Sequence, residues 1–196
     1  DGDGVPNYLD IDSDNDGILD ATELAIDTDS DGLPNYLDVD SDSDGISDII
    51  EAGGTDSDGD AHVDYPTAGD PSTLNDVNGN GLDDDIEASP LPVPDNDFID
   101  GLPNYIDVDS DFDGIIDNIE AQSTLGYIAP LGSDTDADGM DDNYDSDDDL
   151  IIGIGGGTAL NSIIPVNTDG TDNPDYTDTD SDNDGVRNGL DACQFT

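Results

Sequence analysis

DVDSDSDGISDIIE, residues 38–51, is the stretch on which the reading of this chain turns. Asp40, Asp42 and Asp44 alternate, Gly45 follows, and Asp48 and Glu51 close the run. Two carboxylates about 4 Å apart repel by roughly 4 kcal/mol at an effective dielectric near 20. The whole chain of 196 residues repeats the problem: 53 acidic residues stand against one basic residue, Arg187, for a formal charge of -52. A compact fold cannot hold many such pairs bare. Either the chain stays expanded or cations neutralise it.

The spacing favours cations. With Asp40 as position 1, acidic side chains fall at positions 1, 3, 5, 9 and 12, with Gly45 at 6 and Ile46 at 7. This is the calcium-loop spacing D-x-[DN]-x-[DN]-G-x5-E. Calcium takes six to eight hard oxygens at about 2.3–2.6 Å. In such loops positions 1, 3 and 5 give side chains, 7 a backbone carbonyl, 9 a contact often made through water, and 12 a bidentate acid. Glycine at 6 allows the sharp turn between them.

The same spacing recurs along the chain. Residues 12–23 offer Asp12, Asp14, Asp16, the Ile18 carbonyl, Asp20 and Glu23. Residues 27–38 offer Asp27, Asp29, Asp31, the Leu33 carbonyl, Asn35 and Asp38. Residues 40–51 offer Asp40, Asp42, Asp44, the Ile46 carbonyl, Asp48 and Glu51. Residues 76–87 offer Asp76, Asn78, Asn80, the Leu82 carbonyl, Asp84 and Glu87. Residues 109–120 offer Asp109, Asp111, Asp113, the Ile115 carbonyl, Asp117 and Glu120. Residues 134–145 offer Asp134, Asp136, Asp138, the Met140 carbonyl, Asp142 and Asp145. Residues 180–191 offer Asp180, Asp182, Asp184, the Val186 carbonyl, Asn188 and Asp191. Two partial versions follow the same plan. At 56–67, Asp56, Asp58, Asp60, the His62 carbonyl and Asp64 remain, but Ala61 takes the turn position. At 96–107, Phe98 sits at position 3 and leaves Asp100 and Asp107. Asp1, Asp3, Asn7 and Asp10 read as the rear of another loop, and Asp145, Asp147 and Asp149 start one without its glycine. The expected load is about seven to eleven calcium ions. The chain has only four glutamates, Glu23, Glu51, Glu87 and Glu120, and all four occupy position 12. A solvated acidic tail would mix Glu and Asp freely; a site that needs a longer arm at one place would not.

Internal repetition sets the organisation. DGVPNYLDIDSDNDGILDATE at 3–23 matches 31–51 and 100–120, with a looser copy at 169–191. Five stretches follow: tandem loops at 1–51, loops plus a Pro-rich spacer at 52–94, tandem loops at 95–149, an apolar island at 150–166, and a terminal loop unit at 167–196. There is no room for the flanking helices of an EF-hand, because Asp38 ends one loop and Asp40 starts the next. The expected fold is mostly irregular, wrapped around a row of calcium ions, with little helix and a short β hairpin in the island at 150–166. Leu, Ile, Val and Phe make up roughly a fifth of the chain, near the limit at which high charge implies disorder.

The tandem DGLPNYLDVDSDSDGI units resemble thrombospondin type 3 repeats in their cysteine-poor bacterial form. The resemblance spans most of the chain except 121–133 and 150–166. It implies a backbone wrapped around calcium ions, and membership of a long cell-surface protein or adhesin. Animal members add disulfides; Cys193 is the only cysteine, so none can form within this chain.

Function follows from charge and context. Nucleic acid is excluded as a partner, since binding it needs Lys and Arg to displace counterions. Membrane insertion is not expected: the apolar island is short, and GIGGG at 153–157 breaks a helix. No enzyme is expected, because His62 is the only histidine and no Ser/His or Cys/His pair has support. Calcium modules outside cells bind at about 10⁻⁴ to 10⁻³ M, so ~1 mM calcium would add about 1.4 kcal/mol per site at the tight end. Seven sites would then add on the order of 10 kcal/mol, a whole domain's stability. Folding and loading are therefore expected to be one event, outside the cell and on its surface. The leading expectation is a calcium-stiffened stalk or filament, with self-association or a longer tandem array. Joining QFT to DGDGVPNYLD mimics the sequence at 27–38, apart from Phe195 in place of the first Asp. The alternatives are an adhesin segment that binds a ligand through 150–166, 52–75 or 121–133, and a calcium store with many unsaturable sites.

Overall fold

The computed structural model describes residues 2–57, 59–67, 70–123, 125–135, 137–144 and 163–190. Among these residues there is no strand, and helix occurs only as single turns. The turns α1 (Asp20–Glu23), α2 (Asp48–Glu51), α3 (Asp84–Ala88) and α4 (Asp117–Glu120) each cover positions 9 to 12 of a loop. Short 3-10 turns at Asn35–Leu37, Asn104–Ile106 and Asp175–Thr177 each follow a proline. Proline fixes its own φ and pushes the residue before it out of the helical region, so these turns start where the proline stands.

The loops come in pairs. A first loop ends at position 12, one residue intervenes, and a second loop begins: Asp10 and Asp12, Asp38 and Asp40, Asp107 and Asp109, Asp178 and Asp180. In each second loop the position 9 amide donates to the carbonyl of the intervening residue. These bonds are Asp20 to Ile11 (3.1 Å), Asp48 to Val39 (2.9 Å), Asp117 to Val108 (3.0 Å) and Asn188 to Thr179 (2.9 Å). Successive pairs then stack by one rule. The helical turn that closes a pair packs on the 3-10 turn that opens the next: α1 on 35–37, α2 on 104–106, and α4 on 175–177.

The apolar residues obey the same register. Ile18, Ala52 and Tyr105 form one buried cluster; Ile46, Ala121 and Tyr176 are the equivalent residues one pair further on. Ile49, Val63 and Tyr65 form a third. Such clusters are small because the apolar residues are scattered singly among the aspartates, and they pack beside the acidic loops.

Single loops dock against the pairs through their turn glycines. Ile11 N–H donates to Asn80 O (3.0 Å), and Val39 N–H donates to Asp138 O (3.2 Å). A Cβ on Gly81 would lie 1.6 Å from Asp10 Oδ1, and one on Gly139 would lie 1.8 Å from Asp38 Oδ1. Gly139 also has φ +104, so it is needed for both turn and contact.

The hairpin expected at 150–166 is not seen. Residues 150–162 lie outside the described residues, and 163–166 are irregular. Ile163 N–H donates to Gly45 O (2.8 Å) and Val166 N–H to Ala121 O (3.0 Å). These two amides are thus spent on the turn glycine of loop 40–51 and on the residue that follows α4, and make no strand ladder.

Gly139→Ala should destabilise the protein more than Gly114→Ala. Gly114 has a similar φ of +98, but a Cβ there meets nothing within 4 Å. It should cost only the left-handed strain of about 1–2 kcal/mol. Thermal melts in calcium check this; equal melting temperatures would contradict the docking of loop 134–145 on Asp38.

Candidate metal centres

One set of hydrogen bonds shapes each loop. The position 7 amide donates to the position 5 side chain, as in Ile18 to Asp16 (2.6 Å), Ile46 to Asp44 (2.8 Å) and Ile115 to Asp113 (2.9 Å). The position 6 amide donates to the position 1 carboxylate, as in Gly45 to Asp40 (2.9 Å) and Gly185 to Asp180 (2.9 Å). The backbone is left-handed at position 6 and also at position 4: Asn15, Ser43, Phe112 and Asn183 have φ between 55 and 63. This alternation turns the side chains at 1, 3 and 5 to one side.

The carboxylates that result are close and buried. Oxygens of Asp12, Asp14 and Asp16 lie within 4.8 Å of one another, as do those of Asp40, Asp42 and Asp44. Asp27, Asp29 and Asp31 form a similar but more exposed triad. Oxygens bound to one calcium at 2.3–2.6 Å are at most about 5 Å apart, so these cradles are of calcium size. Glu23 and Glu51 are each 1% exposed, and neither oxygen of either has a hydrogen-bond partner among the described residues. Asp12 is equally orphaned, and Asp14, Asp16, Asp42 and Asp44 each carry one such oxygen. Buried charges in proteins are paired or bind metals, and Arg187, the one strong base, is exposed.

Position 9 departs from the expected arrangement. Its side chain accepts from the position 2 amide behind its own loop: Asp20 from Ser13 (2.8 Å), Asp48 from Ser41 (2.9 Å), Asp117 from Ser110 (3.1 Å) and Asn188 from Ser181 (2.8 Å). Asp64 and Asp142 do the same with Ser57 (2.9 Å) and Thr135 (2.7 Å). Two of these side chains then reach the preceding pair. Asp48 groups with Asp16 and Glu23, and Asp117 groups with Asp44 and Glu51. Asn188 Nδ2 donates to Glu120 Oε1 (3.0 Å) in the same relation.

Other expected ligands fall out as follows. At 76–87, Asn78 Nδ2 donates to Glu87 Oε2 (2.8 Å), which joins positions 3 and 12. At 56–67, Ala61 takes the glycine's left-handed turn with φ 63, and its amide donates to Asp56 (3.0 Å). His62 Nδ1 sits on the Asp60 carbonyl, 3.9 Å from the carboxylate of the same residue. Asp58, Asp136, Asp145 and Asp191 lie outside the described residues.

The loop read at 96–107 begins one residue earlier. Asn96 N–H donates to Asn104 Oδ1 (3.1 Å), the bond that marks position 2, and Asp95 accepts from Phe98 N–H (2.7 Å). Its front acids are therefore Asp95 and Asp97, and one extra residue precedes Asp100. A further loop, not expected from the spacing, opens the last pair. Thr168 N–H donates to Asp175 Oδ1 (2.7 Å), and Asp169 and Asp178 take the places of positions 3 and 12. The Pro-Asp-Tyr at 174–176, aligned with Pro-Asn-Tyr at 34–36, was the signal for it.

No protein-family model matches the chain, and no curated protein matches it either. No helix among the described residues is long and apolar enough to cross a membrane.

Burial governs the electrostatics. It pushes Asp16 and Asp44 up to about 7 and Asp38 up to about 8. Burial and the Asp44 charge push Asp117 up to about 9. Burial, with neighbouring carboxylates, holds Glu23 and Glu51 far above the usual range. The unfolded values lie near 4. Between those limits the folded, metal-free chain binds more protons than the unfolded one. Its stability from these groups is therefore full below about pH 4 and is lost as pH rises through 7 to 9. In chelator, acidification from pH 8 to 5 should raise the folded fraction, as read by circular dichroism. Calcium competes with the same protons, so its affinity should fall as pH drops through that window.

Proposed function

We propose that the chain is a calcium-built structural array of the thrombospondin type 3 kind, a stiff stalk or filament segment of a bacterial cell surface outside the cell. The observation that carries this is the pair of fully buried glutamates, Glu23 and Glu51, whose oxygens have no hydrogen-bond partner among the described residues and group with further acids. Calcium suits these cradles better than magnesium, which needs near-ideal octahedral geometry and keeps several waters. Stacking by a repeated rule, with each pair packed on the next, suits a load-bearing element better than a catalyst. The role assigned is structural, not enzymatic. Partners are calcium ions and further repeats or copies of the chain.

A second reading is an adhesin segment that holds a ligand. It is favoured by a groove between the 121–133 loop and the end of the apolar island, lined by Gln122, Ile128, Tyr144 and Ile164. Loss of surface attachment on replacing that loop, with calcium binding intact, would select it.

Isothermal calorimetry with calcium should saturate at about seven to eleven ions. Elongated particles in negative stain should collapse after chelation. Uptake without a defined stoichiometry would sink the structural reading and leave a calcium store.

A further inference from the structure

We infer that Asp48 and Asp117, at position 9 of their second loops, each ligate the ion of the preceding pair and not that of their own loop, so that the calcium sites are wired in series. This rests on the calcium reading above and adds to it which residues form each site. Asp48 is fully buried and lies 25 residues past Glu23, yet its carboxylate meets those of Asp16 and Glu23 within 4.8 Å. Asp117 lies 66 residues past Glu51 and meets Asp44 and Glu51 in the same way. Two unrelated insertions in the sequence thus lead to one geometry.

The local chemistry explains the choice. Ser41 donates to both oxygens of Asp48, through its amide to Oδ1 (2.9 Å) and its hydroxyl to Oδ2 (2.6 Å). Those bonds turn Asp48 behind its own loop. Each carboxylate oxygen keeps a second acceptor direction, and this is the one offered to Asp16 and Glu23. The receiving glutamates supply the independent observation: both oxygens of Glu23, and both of Glu51, are buried and unpartnered among the described residues. Asn118, next to Asp117, reinforces the docking by donating to the carbonyl of Asp44.

Function follows from the wiring. An ion at Glu23 holds α2 in place through Asp48, and α2 carries Glu51 for the next ion. Loading one site therefore pre-organises its neighbour, and stiffness is transmitted along the row. The last link is different: Asn188 stands where Asp48 and Asp117 stand, and it donates to Glu120 (3.0 Å). The row is charged at two junctions and closed by an amide at the third.

The test uses the full chain, ¹⁵N-labelled, with calcium as the probe. The amides of Gly17 and Gly45, each at the turn behind its own ligands, report loops 12–23 and 40–51. Asp48→Asn should raise the calcium midpoint at Gly17 about tenfold or more and move Gly45 by a clearly smaller factor, through the lost pre-organisation of α2 alone. Asp117→Asn should do the reverse. If Asp48→Asn instead moves Gly45 and spares Gly17, each loop uses its own position 9 and the inference fails. Equal shifts at both glycines in both variants would also overturn it. Glycine amides of the unmodified chain that ignore calcium would defeat the calcium reading itself, a separate outcome.

Discussion

Glu23 and Glu51 are each 1% exposed and each faces several other acids with no base in reach. Taking even one such charge out of water costs several kcal/mol unless something offsets it. Everything else in the chain is arranged around that cost. The aspartates that crowd each glutamate are too close to remain bare; protons can neutralise them in acid, and with one arginine in the chain a divalent cation is the agent suited to do so as pH rises. The small apolar clusters around Ile18, Ile46 and Ile49 pack beside the acidic loops.

This inverts the usual relation between core and surface. In an ordinary domain the apolar core sets the fold and polar loops decorate it. Here the most buried row is acidic, running through Asp12, Asp16, Glu23, Asp40, Asp48, Glu51, Asp117 and Glu120. Position 7 side chains and the tyrosines of the 3-10 turns pack beside it. Burial and the charges of Glu23, Asp48 and Asp16 raise the Tyr105 hydroxyl pKa; Glu51, Asp117 and Asp44 do the same for the buried Tyr176. Each tyrosine thus flanks the junction between the two pairs before its own.

Much of this was legible in the sequence, and the reasons for the rest are specific. The twelve-residue spacing announced the grouping of positions 1, 3 and 5 seen at Asp12, Asp14 and Asp16, at Asp27, Asp29 and Asp31, and at Asp40, Asp42 and Asp44, because alternating side chains on a tight loop leave few other options. The irregular fold followed from loops packed end to end without room for helices. The partner of position 9 was not legible. Asp48 has the same spacing whether it serves its own loop or the one before, and only the Ser41 bonds and the stacking of pairs decide between them. The left-handed residue at position 4 was hidden because Asn15, Ser43 and Phe112 share no side-chain chemistry. The loop starting at Asp95 was read one residue late, since a single insertion before Asp100 breaks the spacing while leaving the hydrogen bonds intact.

The central claim is that cations and fold form together. Small-angle X-ray scattering at neutral pH, with calcium and then with excess chelator, tests it most directly. A packed chain of this length has a radius of gyration of about 16 Å, an elongated one somewhat more, and an unfolded one about 47 Å. The calcium-loaded protein should lie near the compact end and expand toward the unfolded value once calcium is removed. A radius that chelation leaves unchanged would contradict the account, because the buried acids would then be stable with no cation to hold them.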